Sequence, residues 1–140
     1  MSDIKTHRDL EAWQMAMDLA MAIYEATDGF PDRERYGLTS QVRRAAVSVP
    51  SNIAEGQAYG LMRSCLHYLR IALGSLGEVD TQLEIARRRK YITDEHHEKM
   101  MTALVSTRRL VSGLRRAKAQ RLGISAGSLV VIIVAIHRLW

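Results

Sequence analysis

The chain has few of the residues on which covalent chemistry and small cross-linked scaffolds depend. Among its 140 residues there are one cysteine, two prolines and one phenylalanine. Cys65 alone cannot form a disulfide or a cysteine-based zinc site within one chain. The sequence also has no phosphate-binding glycine loop, dinucleotide-binding fingerprint or metalloprotease helix motif. We therefore expect a protein that is not an enzyme and that uses no cofactor, metal or small-molecule substrate.

Long apolar segments are also scarce. Residues 1 to 9 are polar and charged where a secretory signal needs an apolar run, so we expect a cytoplasmic protein. The apolar run at residues 129 to 136, even counted from Ile124, is shorter than the roughly 17 to 25 residues that span a bilayer. We divide the chain into a domain of residues 1 to 121 and an apolar tail of residues 122 to 140. A buried strand, a packed helix, an oligomer contact, a disordered end and a membrane-surface anchor all remain open for the tail.

Helix-forming residues are abundant, and apolar residues recur at spacings of three and four in four segments. This pattern predicts an all-α fold with helices over residues 9 to 27, 34 to 58, 62 to 89 and 94 to 118. The short links between them favour an antiparallel up-down-up-down four-helix bundle. The predicted core positions are Leu10, Trp13, Met17, Ala20 and Tyr24 in the first helix and Val42, Ala46, Val49 and Ile53 in the second.

Pro50 lies inside the second predicted helix, where its missing backbone N–H predicts a kink. Ser48, Ser51 and Asn52 supply polar groups that can satisfy the freed backbone. Asn52 and Glu55 also have capping-box spacing, which would let the helix restart after the proline.

Two glycines interrupt the third predicted helix at mid-length, Gly74 and Gly77. Each costs up to about 1 kcal/mol of helix stability relative to alanine. Close approach by a neighbouring helix would explain that cost.

Several segments resemble, in order, those of a known family. They are residues 9–14 (Asp-Leu-Glu-Ala-Trp-Gln), 30–31 (Phe-Pro), 34–41 (Glu-Arg-Tyr-Gly-Leu-Thr-Ser-Gln), 43–56 (Arg-Arg-Ala-Ala-Val-Ser-Val-Pro-Ser-Asn-Ile-Ala-Glu-Gly) and 69–78 (Leu-Arg-Ile-Ala-Leu-Gly-Ser-Leu-Gly-Glu). The resemblance, over about residues 9 to 118, is to the bacterial four helix bundle proteins encoded in intervening sequences of 23S ribosomal RNA genes.

This resemblance implies a four-helix bundle and a cyclic homo-oligomer, typically a pentamer. It extends distantly to the accessory proteins of diversity-generating retroelements, which are associated with reverse transcriptase and nucleic acid. A reverse transcriptase partner is implied only by that analogy. The tail departs from the family's pattern.

Few residues have the arrangement that catalysis or metal binding requires. Glu55 and Glu78 follow small-residue segments, and we expect interior ion pairs with Arg43 or Arg44 in preference to acid–base catalysis. Ser48 and Ser51 belong with the proline, and Cys65 suits a small core or interface position. Adjacent His96 and His97 point about 100° apart on a helix, which suits a solvated helix start better than a shared metal.

Positive charge is concentrated in the second part of the chain. Residues 1 to 86 hold eight Lys or Arg and twelve Asp or Glu, whereas residues 87 to 140 hold twelve and three. Such asymmetry suggests an anionic partner, although a solvated helix face has about equal weight. The candidate nucleic-acid-binding residues are Arg87, Arg88, Arg89, Lys90, Arg108, Arg109, Arg115, Arg116, Lys118 and Arg121.

Two functions follow from these observations. The first is a non-enzymatic, oligomeric bundle that binds the backbone of RNA or DNA through this basic surface, with few aromatic residues nearby to stack on bases. The alternative is a scaffold or protein-interaction module, membrane-proximal through its tail, that binds no nucleic acid.

Overall fold

A computed structural model describes residues 3–123, and they form four long α-helices. The helices are α1 (Glu11–Thr27), α2 (Leu38–Ala58), α3 (Met62–Arg88) and α4 (Asp94–Arg121). Each helix packs on the next along the chain, and α4 packs back on α1. The predicted all-α, four-helix fold is confirmed. The predictions for residues 124–140 of the tail lie outside the described residues.

Side-chain contacts at the helix ends show how neighbouring helices are oriented. The start of α2 meets the end of α1, where Arg43 contacts Asp28 at 3.0 Å. The start of α4 meets the end of α3, where Arg87 lies 3.5 Å from Asp94. Farther from that turn, Arg108 of α4 contacts Asp80 in an earlier turn of α3, so α3 and α4 run in opposite directions. The α2–α3 turn and the C-terminus of α4 therefore share one end of the bundle.

The core positions predicted for α2 are buried, but those predicted for α1 are only partly right. The core takes Ala12, Ala16, Leu19 and Ile23 from α1 in addition to Leu10 and Ala20. Trp13 and Met17 are half-buried, and Tyr24 is exposed. The face with Leu19, Ile23 and the alanines packs into the core, and the stripe of Trp13, Met17 and Tyr24 lies beside Val47 and Pro50 of α2.

Two helices begin later than the sequence predicted because a polar side chain ends a preceding turn. Asp9 does not open α1; it ends the 3-10 turn His7–Asp9, which Thr6 caps, and its Oδ2 accepts hydrogen bonds from Lys5 N and Thr6 N. Glu34 does not open α2; it lies in the turn Asp32–Glu34, and its Oε2 accepts a hydrogen bond from Leu38 N at 2.9 Å. At its other end, α4 extends to Arg121.

Helix α2 runs without interruption across Pro50, so it does not restart there. The Asn52 amide donates to Ser48 O at 2.8 Å and lies 2.9 Å from Ser48 Oγ, which is 2.8 Å from Ser75 Oγ of α3. Ser51 is exposed and takes no part. Two of the three predicted polar residues thus join the helices beside the proline, and the kink itself stays a prediction.

The expected close approach at Gly74 and Gly77 is wrong. Both glycines are exposed, and a Cβ atom added to either would meet no atom within 4 Å among the described residues. The close approach is at Gly56 of α2, where an added Cβ atom would lie 3.3 Å from Cys65 O and from Tyr68 Cβ. Ser75, between the two glycines, is the residue of that segment that faces α2.

The expected interior pairs of Glu55 and Glu78 are also wrong. Both carboxylates are exposed, and neither pairs with Arg43 or Arg44 within residues 3–123. Arg43 instead donates to Thr27 Oγ1 at 2.7 Å and to Asp28 Oδ1 at 3.0 Å, with its guanidinium 4.6 Å from the centre of the Tyr24 ring. The arginine therefore fastens α2 to the end of α1.

Candidate nucleic-acid interface

The bundle separates the ten candidate cations into groups. Arg87, Arg88, Arg89 and Lys90 lie where α3 ends, at the end of the bundle where α4 begins. The last four lie in the final two turns of α4, and we call them the α4-end cations: Arg115, Arg116, Lys118 and Arg121. From Asp94 to Arg115 the helix rises about 30 Å. The ten side chains therefore do not form one continuous surface.

Two cations of the first group are held by a carboxylate. Glu84 accepts hydrogen bonds from Arg87 at 2.9 Å and from Arg88 at 2.7 Å. These hydrogen bonds, that of Arg87 first, lower the pKa of Glu84 to about 2, and the same contact raises the pKa of Arg87. Arg87 also lies 3.5 Å from Asp94. Much of the positive charge of these two residues is thus balanced within the bundle.

Arg89 also has a structural partner, Tyr91. Arg89 Nε lies 3.4 Å from Tyr91 Oη, which donates to Glu34 Oε1 at 3.1 Å. Arg33 lies opposite, and both guanidiniums are 5.7 Å from the centre of the Tyr91 ring. The Leu38 N–H and then the Tyr91 hydroxyl lower the pKa of Glu34. Arg89 thus belongs to a network that joins the α3–α4 turn to the start of α2.

Lys90 ends α3 in a conformation that glycine usually adopts. Its φ is 58°, and the N–H groups of Lys90 and Tyr91 donate to Arg87 O and Ala86 O. This is the Schellman arrangement, in which the residue after the cap is left-handed. The Lys90 side chain is exposed.

Between the two ends, Arg108 and Arg109 differ. Arg108 faces α3, where its guanidinium is 3.3 Å from Asp80 Oδ2. Arg109 is exposed. Arg108 and Arg115 are seven residues apart and lie on one face of α4, but Arg108 is already paired with Asp80.

The α4-end cations have no such carboxylate partner. No ion pair joins any of the four to an acidic side chain within the part of the chain that the structure describes. Arg115, Arg116 and Arg121 are exposed, and Lys118 is half-buried. Part of this charge is suited to the negative end of the α4 dipole. The remainder is available to an anion in solvent.

Other parts of the chain meet the α4-end cations. A cavity of about 250 Å³ between them and the N-terminal segment is lined by Leu10, Gln57 and Arg121, among others. Burial raises the pKa of the Cys65 thiol at the start of α3, and the nearby Lys118 charge opposes that rise. The first turn of α3 therefore lies beside the end of α4. Arg63 in that turn is exposed, so it adds a cation that the sequence interpretation did not include.

The same end of the bundle carries an aromatic cluster that the sequence interpretation missed. Tyr59 at the end of α2 and Tyr68 in α3 have ring centres 5.4 Å apart and planes 4° from parallel. His67 meets the Tyr68 ring edge-on at 5.3 Å. We call these three side chains the aromatic platform. Tyrosines nine residues apart, on either side of a short predicted turn, were the signal in the sequence.

The two helical histidines that invited a metal hypothesis lie apart. His96 lines a cavity of about 610 Å³ between α1 and α4, and its backbone N–H donates to the capping Thr93 Oγ1. His97 is half-buried, with Nε2 3.6 Å from Glu84 Oε2. The predicted exposure of both histidines at the helix start is therefore right for His96 and wrong for His97. No group of three potential metal ligands occurs within residues 3–123.

No helix in the described part of the chain combines the length and apolar character that crossing a bilayer requires.

Comparisons with known proteins agree with this fold. A crystal structure of a protein of unknown function from the S23 ribosomal protein family of Bacteroides thetaiotaomicron is similar, with a TM-score of 0.69 and 21% sequence identity. The likeness covers 75% of this chain and 95% of that one. At this identity it shows the fold alone. No curated protein matches the chain.

The sequence also matches a family described as 23S rRNA-intervening sequence protein over residues 8–113. That range contains all four helices except the last turns of α4, so Arg115, Arg116, Lys118 and Arg121 lie beyond it. Neither comparison indicates a catalytic family. The match covers well over half of the chain, and the protein therefore belongs to the 23S rRNA-intervening sequence protein family.

Proposed function

We propose that this protein is a non-enzymatic, oligomeric helical bundle that binds the phosphate backbone of RNA or DNA through the α4-end cations. One observation carries the proposal: four cations in two helical turns lack a carboxylate partner within residues 3–123, whereas Arg87, Arg88 and Arg108 each have one. Phosphate oxygens are the anions that such a cluster would attract along a nucleic-acid strand. The chemistry is binding, and no catalytic step is included.

A charge-matched pair of variants tests this proposal. The first replaces Arg115, Arg116, Lys118 and Arg121 with glutamine, and the control replaces the exposed Arg35, Arg88, Lys90 and Lys99 at the opposite end. Each full-length protein is titrated against a fluorescent structured RNA and a DNA duplex at low and moderate salt. We expect the first variant to lose most of the affinity and its salt dependence, and the control to keep most of both. Equal losses, or no binding by the wild type, would contradict the proposal.

Oligomerisation is a second part of the proposal, and a second copy of this chain is the partner. The half-exposed stripe of α1 forms an apolar groove with α2, lined by Trp13, Met17, Met21 and Val47, among others. The Met21 side chain is 63% exposed. Contact of this groove with a different face of the next copy would be heterologous, and heterologous contacts close into a ring when the rotation is complete. The family resemblance suggests five subunits.

The assembly state is measured by light scattering coupled to size-exclusion chromatography. We expect Met21→Glu to reduce the subunit number because it buries a charge in the proposed contact. Leu61→Glu is the control, since Leu61 is 68% exposed but lies in the α2–α3 turn. A monomeric wild-type protein would rule out this part of the proposal.

The alternative is a scaffold that binds other proteins through this groove and has no nucleic-acid role. The apolar lining is the observation that favours it. Absence of nucleic-acid binding at low salt, together with a monomeric protein whose groove is uncovered, would favour the scaffold. A reverse transcriptase partner and a cytoplasmic location stay predictions.

A further inference from the structure

The aromatic platform presents an open ring face to solvent. Tyr59 is 56% exposed, and its ring is nearly parallel to that of Tyr68 with the ring centres 5.4 Å apart. Parallel rings at this separation are offset, so Tyr68 covers only part of Tyr59 and leaves ring area open to solvent. An exposed aromatic ring of this kind is suited to stacking against another flat surface.

The local packing holds the platform in place. Gly56 of α2 lets α3 approach so closely that an added Cβ atom would be 3.3 Å from Tyr68 Cβ. Tyr68 is half-buried and supports Tyr59 from beneath, while His67 buttresses Tyr68 at its edge. Tyr59 is the C-cap of α2, and its N–H donates to Glu55 O. The ring is thus fixed before any ligand arrives, which lowers the entropy lost on binding.

Cations follow the platform along α3. Arg63, His67 and Arg70 have the spacing of four and three that places side chains on one helical face, and all three are exposed. No ion pair holds Arg63 or Arg70 within the described residues 3–123. Glu55, on the last turns of α2, is the acidic group beside Tyr68. The face therefore combines a flat ring with positive charge spaced along it.

We propose that this face recognises unpaired bases, so that the ligand is a single-stranded stretch or loop of nucleic acid in preference to a duplex. One base stacks on the open face of Tyr59, and Arg63 and Arg70 contact the flanking phosphates. A duplex cannot use the ring in this way, because its bases are stacked on one another and only its terminal pairs expose a face. This inference rests on the proposed backbone binding and adds the class of strand that is bound.

The test measures the affinity of the full-length protein for a fluorescent oligo-U, an oligo-dT of equal length and a duplex of equal length, all at one low salt concentration. We expect the wild type to bind the single strands more tightly than the duplex. Tyr59→Ala should weaken single-strand binding between about 5-fold and about 150-fold, the range found when a base-stacking aromatic is truncated, with little effect on the duplex. Tyr59→Trp should restore binding, since stacking needs a ring and no hydroxyl.

Tyr36→Ala is the matched control. Tyr36 is 91% exposed and lies beside the start of α2, at the other end of the bundle, so its loss should leave every affinity unchanged. Melting followed by circular dichroism checks that both alanine variants are folded. Comparison of oligo-U with oligo-dT shows which sugar is preferred.

Two results would overturn the inference. If the wild type binds single strands and duplex but Tyr59→Ala lowers neither affinity, or lowers both equally, base stacking is excluded while the proposed backbone binding stands. If the wild type binds none of the three ligands at low salt, the backbone binding fails and the inference fails with it.

Discussion

At the scale of single residues, three glycines that lie within helices have different environments. Gly74 and Gly77 face open space, whereas Gly56 lies against the backbone of Cys65. Only the last needs the absence of a side chain. The two exposed glycines therefore carry the conformational cost of glycine in a helix without a packing gain within the described bundle.

Alanine substitution should separate these positions. We expect Gly74→Ala and Gly77→Ala each to raise the free energy of unfolding by about 0.5–1 kcal/mol, because alanine restricts the unfolded chain and favours helix. Urea unfolding monitored by circular dichroism gives the values. If the free energy of unfolding rises for neither variant, Gly74 and Gly77 take part in a contact that the single chain does not contain.

Gly56→Ala should instead lower the free energy of unfolding. The new methyl group would lie 3.3 Å from Cys65 O, and a helix backbone cannot yield as a side chain can. Overpacking of about 1–3 kcal/mol exceeds the propensity gain of up to about 1 kcal/mol, so we expect a net loss of about 1 kcal/mol. The same urea experiment measures it, and a stabilised Gly56→Ala protein would contradict this account.

The sequence alone could not rank these glycines. Their spacing places them on helices, but the partner that each one faces is decided by how the helices pack. In α1 the same limit applied, because a stripe of Trp13, Met17 and Tyr24 has the periodicity of a core, although Leu19, Ile23 and several alanines form the actual core. Small residues carry little hydrophobic signal even where close packing depends on them.

At the scale of helices, Glu84 links the end of α3 to the start of α4. Its two arginine partners lower its pKa to about 2 from an ordinary value of 4.5, and Arg87 reaches Asp94 as well. A carboxyl whose pKa is lower in the folded state contributes stability above pH 4.5, and that contribution is lost as the pH falls towards 2. The α3–α4 junction should thus be acid-sensitive.

Glu84→Gln tests this link. We expect the variant to be less stable than the wild type at neutral pH and the difference between the two to shrink as the pH falls from about 4.5 to about 2. Urea unfolding at a series of pH values measures the difference. The control is Glu95→Gln, because within residues 3–123 Glu95 pairs only with Lys99 on an exposed helix face, at 3.3 Å, and such pairs contribute little. A pH-independent difference for Glu84→Gln would show that lost packing, not lost charge, is responsible.

Most helix ends were predictable and two starts were not. Thr27, Ala58, Met62 and Asp94 bound their helices as the sequence patterns predicted. The starts of α1 and α2 were placed too early because Asp9 and Glu34 belong to separate 3-10 turns that the apolar spacing does not distinguish from the helices. Glu34 serves Leu38 from outside the helix, and that role depends on Tyr91, 57 residues away.

At the scale of the whole molecule, positive charge is divided between two ends of a long bundle. The sequence showed that residues 87 to 140 are basic, but it could not show that Glu84 and Asp80 form ion pairs with three of the cations. The sequence also could not show that Tyr59, Tyr68 and Arg63 lie at the end of the bundle where α4 ends. These relations depend on which helices are neighbours, and the counts along the chain do not contain that information.

The salt dependence of binding should reflect this division. A hairpin with a stem of about eight base pairs is about 27 Å long, shorter than the rise of about 30 Å that separates the two groups of cations. We expect the logarithm of its binding constant to fall with the logarithm of salt concentration at a slope of about −4 to −5, as for six phosphate contacts made by the α4-end cations, Arg63 and Arg70. Fluorescence titrations over a salt series measure the slope. A slope of about −7 to −9 would mean that all ten cations act together.

The hydrogen bond from Tyr91 to Glu34 has a consequence for how the chain folds. Glu34 accepts from Leu38 N, the first residue of α2, and is itself held by a residue of the α3–α4 turn. The carboxylate that accepts from the first N–H of α2 is therefore held in place by a segment made much later in synthesis. Protection of the Leu38 amide hydrogen against exchange should then respond to formation of the α3–α4 turn, although Leu38 lies in the first half of the chain.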